Sequence, residues 1–393
     1  MAGLHAETSL HLAAALDGAG WHPAAWREPD ARPGDLLTAG YWAALVAECE
    51  DGLLDFATFE DSLSLQSTDP DRPDQRIDQV RGRLDAVLVA ARVGPLTRHV
   101  GLIPTAIVTH TEPFHLSKAI ATLDWVTSGR AGVRVKVSPR QDEAAHFGRR
   151  SLSAGPGLVD DLMHEAADYV EVLRRLWDSW EDDAEIRDTA AGKFVDIAKL
   201  HYIDFEGRWF RVKGPSITPR PPQGQPVVTA LAHSAPGYSL LARSSDVGFV
   251  TPHDRSHAAG IVSQVRAAQA AAGRADAPVH IFADLLVYLD DDANRAAARK
   301  ARLDDLAGGP QASDALAVTG TPAQLADLLL DWRSAGLTGF RLRPAAIPHD
   351  LRQVTRGLVP ELQRRAAFRS EYRSSSLRGL LGLPKPVNRY AAA

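Results

Sequence analysis

Eight short apolar stretches along the chain have the composition and spacing of β-strands. In the first of them Leu10, Leu12, Ala14 and Leu16 fall on one face. The predicted strands cover 9–16, 53–59, 100–108, 131–137, 226–231, 246–251, 279–289 and 337–343. Apolar residues at helical spacing lie between them. Strict alternation of strands and helices predicts a parallel sheet.

Eight strand–helix units in a chain of 393 residues predict one closed (β/α)₈ TIM-barrel domain of the α/β class. The alternative is an open doubly wound sheet, which normally carries a glycine-rich phosphate loop after an early strand. The segment GPGL at 155–158 follows no strand, so the barrel is preferred. Insertions are predicted near 62–80, 139–160 and 179–215, and a C-terminal arm over 366–393.

Composition narrows the class of protein. Hydrophobic residues make up 45% and charged residues 24%, as in soluble globular proteins. There is no apolar run long enough to span a membrane, and the first ten residues lack the pattern of a secretory signal. The single cysteine, Cys49, excludes an internal disulfide, and no metal-binding motif is present. With a net charge of −5, we expect a cytoplasmic protein that binds neither membrane nor nucleic acid.

Active sites of such barrels lie at the C-terminal ends of the strands. His22, Asp61 and Ser234 follow the first, second and fifth strands. Ser234, in AHSAPG, is either a helix N-cap or a ligand for an anion at the helix N-terminus. Asp61 is either a cap or surface carboxylate, or an acceptor for a heterocycle N–H or a sugar hydroxyl. His22 is either a packed loop histidine or a proton donor near neutral pH.

The fourth strand carries an unusual charge. In GVRVKVS the valines alternate with Arg134, Lys136 and Ser138, so the two sets point to opposite faces of the strand. If the valines pack against helices, Arg134 points into the barrel, where a permanent cation needs a partner. One interpretation is a buried ion pair with Glu60 or Asp61.

Several longer segments follow one another in the order found in one enzyme family. They include GWHPAAWREPD, LDFATFEDSL, PFHLSKAIATLDWVTSGRAGVRVKVS, GKFVDIAKLHYIDFEGRWFRVKGP and GTPAQLADLLLDW. Through this series the chain resembles the bacterial luciferase-like flavin monooxygenases. It is most similar to the subgroup of nitrilotriacetate, dibenzothiophene-sulfone and long-chain-alkane monooxygenases. The resemblance extends over nearly the whole chain.

The resemblance implies a (β/α)₈ barrel that forms a homodimer or tetramer. It implies reduced FMN (FMNH₂) supplied by a separate NAD(P)H:flavin reductase. With O₂ as oxidant, a small organic substrate would be oxygenated through a C4a-(hydro)peroxyflavin. Asp61, Thr105, Ser138 and Ser234 match family positions near the flavin, the last of them near its phosphate. On this basis His22 would donate a proton to the peroxide or substrate oxygen, and Arg134 would lie beside the flavin's pyrimidine edge.

Other positions depart from the family pattern. The Trp-Asn pair of the fourth strand is Val133-Arg134 here, and an Arg-Tyr pair is replaced by Leu162 and Met163. A family histidine aligns with Val159, and the covering segment before GTPAQLADLL is shortened to KARLDDLAGGPQASDALAV. Two further hypotheses therefore stay open. One is a deazaflavin-dependent oxidoreductase on the same barrel, and the other is a degenerate, non-catalytic member that binds flavin or a metabolite.

Overall fold

Eight parallel strands close into a barrel in the computed structural model, which describes residues 10–67, 69, 73–152 and 155–391. Neighbours in sequence pair with each other, and β8 pairs with both β7 and β1, which closes the ring. The predicted TIM barrel and its eight strands are confirmed. The strands are β1 (His11–Leu16), β2 (Phe56–Phe59), β3 (Gly101–Ile107), β4 (Gly132–Lys136), β5 (Val227–Ala232), β6 (Val247–Val250), β7 (His280–Leu289) and β8 (Gly339–Pro344).

Helices surround the barrel, since the outward strand residues, such as Val133 and Val135, need apolar cover. They are α1 (Ala39–Asp51), α2 (Ala86–Val93), α3 (Pro113–Val126), α4 (Gln141–Phe147), α5 (Leu158–Asp178), α6 (Ala235–Ser244), α7 (Arg255–Ala271), α8 (Ala293–Ala307), α9 (Pro322–Arg333), α10 (His349–Arg352), α11 (Val359–Arg364) and α12 (Leu377–Leu380). A π-helical stretch, Gln353–Leu358, joins α10 to α11. No helix in the described ranges is both long and apolar enough to cross a bilayer.

Helix α2 begins later than the apolar residues of its segment indicate. It starts only at Ala86, so Leu84 lies outside it, and Leu88 is 69% exposed. Asp85 caps the helix by accepting a hydrogen bond from the Leu88 amide, which sets the start. The fully buried face is therefore Ala86, Val89, Ala90 and Val93.

The segments outside the regular repeat have structure of their own. The 139–160 insertion contains α4, and the 179–215 insertion contains two antiparallel hairpins, Glu185–Asp188 with Lys193–Val195 and Phe205–Glu206 with Arg211–Val212. The shortened covering segment is the end of α8, a loop and a strand, Leu316–Gly320, that pairs with the end of β7. The predicted strand start at Ser9 and the N-terminal residues 1–8 lie outside the described residues.

The barrel interior changes character along its axis. Near the N-terminal ends of the strands it is apolar, with Phe56, Phe249 and Phe282 packed together. The C-terminal arm covers this end with Leu377 and Leu381, which belong to the same cluster. Two residues further along β2, β3, β4, β5, β7 and β8 the inward side chains become polar or charged, and the candidate site lies there.

Candidate active site

Glu60 lies at the centre of a charged network in the barrel mouth. It follows β2, and its carboxylate accepts hydrogen bonds from Arg134 of β4 at 2.6 Å and from Arg341 of β8 at 3.3 Å. Arg134 also donates to the Thr105 hydroxyl of β3 at 3.2 Å. The ion pair expected for Arg134 is thus present, with Glu60 rather than Asp61. Parallel pairing places Thr105 and Arg134 side by side, so their inward side chains meet.

A second part of the network crosses from β7 to β8. Asp284, fully buried, binds Arg341 at 2.8 Å and Arg343 at 3.0 Å. Arg343 also binds Asp314, in the loop after α8, at 2.5 and 3.1 Å. Asp314 approaches His233, after β5, at 3.4 Å. The charged chain therefore spans the mouth from β2 to β5.

These contacts keep the carboxylates ionised. Burial alone would raise the pKa of Glu60, but the charges of Arg134 and Arg341 outweigh it and lower the pKa to about 2. Burial is likewise outweighed at Asp314, where Arg343 lowers the pKa to about 2. Glu60 and Asp314 are therefore ionised at every physiological pH.

A cavity of about 540 Å³ lies at the same end of the barrel as this network. Its walls come from the loop after β1, the 62–83 insertion, the end of β4 and the loop after α8. The lining includes Trp21, His22, Gln66, Arg83, Lys136 and Gln311. Arg343 lies over the Trp21 ring at 4.5 Å, which joins the cavity wall to the charged network. Pockets for small molecules have volumes of about 300–1,000 Å³, so this one can hold a ligand of that size.

His22 reaches the cavity but has both ring nitrogens engaged. Nδ1 accepts a hydrogen bond from the Ala24 amide at 3.1 Å, and Nε2 lies 3.2 Å from an Asp304 oxygen. Burial lowers the pKa of His22, and the hydrogen bond to Asp304 opposes this only in part. The neutral tautomer with its proton on Nε2 satisfies both contacts. In this arrangement His22 positions the loop after β1, and its Nε2–H donates a hydrogen bond to the Asp304 carboxylate.

Asp61 and Ser138 hold backbone near the mouth. The Asp61 carboxylate accepts from the Ser62 amide at 2.7 Å and from the Ala86 amide, at the start of α2, at 3.0 Å. Burial raises the pKa of Asp61, and these two hydrogen bonds oppose the rise. The Ser138 amide donates to the Thr109 hydroxyl at 2.9 Å, and the Ser138 hydroxyl accepts from the Arg140 amide at 3.3 Å.

Ser234 lies apart from the others, at the start of α6. It is the N-cap residue by position, with Pro236 in the first turn, as the sequence indicates. Its hydroxyl makes no capping hydrogen bond, and the residue is exposed. A groove of about 220 Å³ runs beside it between α5 and α6, lined by Met163, His164 and Arg243 among others.

Sequence reasoning missed most of the network. It singled out Arg134 from the alternation of valines with charges in GVRVKVS. The same alternation is present in GFRLRP, where Arg341 and Arg343 alternate with Phe340 and Leu342, and it would have predicted two more inward arginines. No comparable pattern marks Asp314, because it lies in an irregular loop.

Comparison with known proteins places this geometry in context. A family model described as luciferase-like monooxygenase matches residues 28–315. The chain belongs to the luciferase-like monooxygenase family. It is 30% identical to nitrilotriacetate monooxygenase component A of Aminobacter aminovorans, over 98% of this chain and 99% of that protein. It is also 30% identical to N-acetyl-S-(2-succino)cysteine monooxygenase of Bacillus subtilis, over 97% of this chain and 98% of that one.

Solved structures agree. Riboflavin lyase, with modified FMN and riboflavin, superposes with a TM-score of 0.85 at 25% identity, over 97% of each chain. A coenzyme F420-dependent tetrahydromethanopterin reductase from Methanopyrus kandleri is more distant, with a TM-score of 0.62 at 14% identity over 90% of this chain and 99% of that one. The family relationship makes this protein an oxidoreductase of a family whose members use reduced flavin.

Proposed function

We propose that the protein is the oxygenase of a two-component, FMNH₂-dependent monooxygenase. A separate NAD(P)H:flavin reductase would supply the reduced FMN, O₂ would be the oxidant, and a small organic molecule would be oxygenated. The observation that carries the proposal is the cavity of about 540 Å³ at the end of the barrel that holds the buried arginine–carboxylate network, in a chain of this family. In cofactor enzymes the cofactor supplies the redox chemistry, while the protein binds, orients and shields it.

The residues at the mouth fit a reduced flavin, whose ring is an anion. Arg134 is 4% exposed, and its Nε has no hydrogen-bond partner among the described residues. A buried donor without a partner is destabilising, so an acceptor on a ligand would remove a defect of the free protein. We propose that Arg134, held in place by Glu60 and Thr105, lies beside the pyrimidine edge of the ring.

The phosphate would be bound elsewhere. Ser234 has a free hydroxyl at the N-terminus of α6, and helix N-termini attract anions through their free amides and dipole. We propose that Ser234 takes the FMN phosphate. Asp61 and Ser138 would act by fixing the backbone around the ring, because their side-chain oxygens already accept hydrogen bonds from main-chain amides.

His22 would have a different role from the proton donor expected from its position. Since Nε2 is directed to Asp304, we propose that it fixes the loop containing Trp21 and closes one wall of the cavity. Exclusion of water by such walls protects reactive intermediates from hydrolysis. The cytoplasmic location and the dimer or tetramer stay predictions, the latter open to light scattering.

A second candidate is a non-catalytic flavin- or metabolite-binding protein. It is favoured by one observation, the ion pair between Arg134 and Glu60 in the barrel mouth, where the resembling enzymes carry asparagine at the arginine position. A deazaflavin enzyme has weaker support, because the F420-dependent neighbour superposes less closely than riboflavin lyase does.

Anaerobic titration separates these functions. The purified protein is titrated with FMN, FMNH₂ and a deazaflavin, followed by absorbance and fluorescence. We expect preference for FMNH₂ over FMN and over the deazaflavin. Preference for the deazaflavin, or absence of binding by any flavin, would contradict the proposal.

A further inference from the structure

A smaller cavity lies beside the cavity of about 540 Å³, the main cavity. It has a volume of about 160 Å³, and we refer to it as the side pocket. Glu60, whose carboxylate binds Arg134, lines the side pocket. Four residues line both cavities, which therefore share a wall: Asp17, Gly18, Val80 and Arg83. The side pocket thus adjoins the part of the mouth proposed for the flavin ring.

Most side chains in the wall of the side pocket are apolar. They are Pro33, Leu36, Leu37, Trp42, Phe59, Val80, Leu84, Ala86 and Val89. Among them Trp42 carries a polar atom, and its indole N–H donates to the Leu36 carbonyl at 3.0 Å. These side chains therefore offer a ligand dispersion contacts and no free hydrogen-bonding group.

The charged side chains of the same wall have partners within the protein. The Asp17 carboxylate accepts hydrogen bonds from Arg83 at 2.7 and 3.1 Å. Both Glu60 oxygens accept from arginines of the charged network, and Arg81 pairs with Asp74. A buried water molecule typically makes about three hydrogen bonds, and this wall offers few free groups for them. An apolar occupant needs none.

The volume of the side pocket favours a very small molecule. Pockets for drug-sized ligands have volumes of about 300–1,000 Å³, so the side pocket is too small for that class. An apolar cavity of about 150 Å³ engineered into another protein binds benzene or xenon. Dioxygen is also small and apolar, and transfer of an apolar molecule from water to apolar surroundings is favourable. Size and wall together point to a gas.

The side pocket also adjoins the outer surface of the barrel. A groove of about 270 Å³ runs there between α1 and α2. Four apolar residues line both the groove and the side pocket: Leu37, Trp42, Leu84 and Val89. The side pocket therefore lies between the helical surface and the charged network, and apolar side chains extend from one to the other.

We propose that the side pocket binds dioxygen and holds it beside the site of the flavin. The inference rests on the proposed function, which names O₂ as the oxidant. The affinity of the pocket for a small apolar gas follows from its own wall and does not require a flavin. The gas would contact Leu36 and Val89, which line the side pocket but not the main cavity.

NMR of the methyl-labelled, full-length protein tests this without any variant. Dissolved O₂ is paramagnetic, so it speeds the relaxation of methyl groups that it contacts. We expect O₂-induced relaxation at Val89, which is 8% exposed, to be at least threefold faster than at Leu116, which is 7% exposed and lines neither cavity. Xenon, which is apolar but not paramagnetic, should shift the signals of Leu36 and Val89.

Ala86→Leu tests the site by filling it. Ala86 lines the side pocket and is buried in the first turn of α2. When circular dichroism shows that the variant is folded, O₂-induced relaxation at Leu36 and Val89 should fall at least threefold. Ala44→Leu, the same change at an exposed position of α1, should leave the relaxation unchanged.

Two results would overturn the inference. One is equal O₂-induced relaxation at Val89 and Leu116 in the wild-type protein, a comparison that needs no variant to fold. The other is unchanged relaxation at Leu36 and Val89 in folded Ala86→Leu, because the gas would then lie outside the side pocket.

Stopped-flow mixing with O₂ connects the pocket to the reaction. Ala86→Leu should bind FMNH₂ as the wild type does, and O₂ should oxidise the bound FMNH₂ at least threefold more slowly. An unchanged rate in a variant that has lost the gas would overturn the role of the pocket in oxygen supply and assign it to an apolar part of the substrate.

The same preparations distinguish this inference from the proposed function. FMNH₂ binding by a protein with no preferred O₂ contact at Val89 overturns the side pocket alone. Gas binding at Val89 that is lost in Ala86→Leu, in a protein that binds no flavin, supports the pocket and contradicts the monooxygenase proposal.

Discussion

The two ends of the barrel both bury charged residues, but their hydrogen bonds are completed in different ways. At the N-terminal end Asp55 binds His11 at 2.9 Å and the Leu12 amide at 2.8 Å, and it also pairs with Arg369 of the C-terminal arm. Asp246 binds Arg378 of the same arm at 3.3 Å. At the mouth, by contrast, a charged side chain of the network, Arg134, keeps an unpartnered donor.

This difference distinguishes ion pairs that hold the C-terminal arm in place from ion pairs that can take part in ligand binding. Ion pairs at the N-terminal end attach the arm that closes the barrel, and this structural role is enough to explain them. Among the ion pairs at the mouth, Arg134 keeps one donor, its Nε, without a partner in the described residues. The comparison predicts that equivalent mutations at the two ends lower stability alike, and that only those at the mouth change ligand binding.

The largest expected effects come from removing one buried carboxylate charge at each end. Asp284→Asn leaves Arg341 and Arg343 without their shared counter-ion, and Asp55→Asn leaves Arg369. Breaking a buried ion pair costs about 3–5 kcal/mol. Both variants should therefore show clearly lower urea midpoints. In preparations that remain folded, Asp284→Asn should weaken FMNH₂ binding and Asp55→Asn should not.

A result in which Asp55→Asn weakens FMNH₂ binding as much as Asp284→Asn does would break the distinction between the ends. Near-equal stability of Asp284→Asn and the wild type would show that the mouth network does not hold the barrel together.

Sequence reasoning recovered the barrel and half of this distinction. Strand alternation in GVRVKVS placed Arg134 inside the barrel and named Glu60 as a possible partner, because period-2 geometry fixes which face a residue occupies. The same logic could not find the contact of Arg343 with Asp314, since loop geometry follows no period. It also could not show that His22 Nε2 hydrogen-bonds to Asp304, because that contact joins residues 282 positions apart.

The N-terminal end should be sensitive to acid. His280 donates toward the Leu381 carbonyl and is packed against His11. Burial, followed by the charge of His11, lowers the pKa of His280 to about 4, from 6.5 in the unfolded chain. The neutral form therefore stabilises the fold fully above pH 6.5. This contribution declines as pH falls from 6.5 to 4, by an amount on the order of 3 kcal/mol.

Urea unfolding between pH 4 and 7 tests this. His280→Gln should reduce the loss of stability over that range, whereas His253→Gln, at an exposed histidine, should not. Parallel pH profiles for His280→Gln and the wild type would show that His280 does not cause the acid sensitivity of the N-terminal end.

Arg134 gives a smaller and more specific effect at the mouth. If it faces the reduced ring, Arg134→Gln should weaken FMNH₂ binding by about 1.5–3 kcal/mol, the range for hydrogen bonds to charged groups, and FMN binding much less. The reduction potential of bound flavin should fall accordingly. Arg369→Gln, at the opposite end, is the matched control. A loss of thermal stability with an unchanged ratio of the two affinities would make Arg134 a structural residue only.

Mutation of Ser234 should give the smallest effect on FMNH₂ binding. It also distinguishes a helix-capping role, which would change stability, from a phosphate-binding role, which would change affinity. Loss of a serine N-cap normally costs about 1 kcal/mol of stability, but the Ser234 hydroxyl caps nothing. The next helix, α7, is different, because Asp254 caps it by accepting from the His257 amide at 2.8 Å. Ser234→Ala should therefore leave the urea midpoint unchanged and weaken FMNH₂ binding by about 1.5 kcal/mol, the lower end of the range for a hydrogen bond to a charged group.

Ser256→Ala, at an exposed serine in the first turn of α7, is the control for Ser234→Ala. A lower urea midpoint with unchanged FMNH₂ affinity would mean that Ser234 caps α6 in solution, and the phosphate would then have to bind elsewhere. The groove beside Ser234 is lined by Arg243 and His164. Arg243→Gln in the same titration would then show whether the phosphate lies in that groove, because an arginine that binds a phosphate contributes more than a neutral hydroxyl.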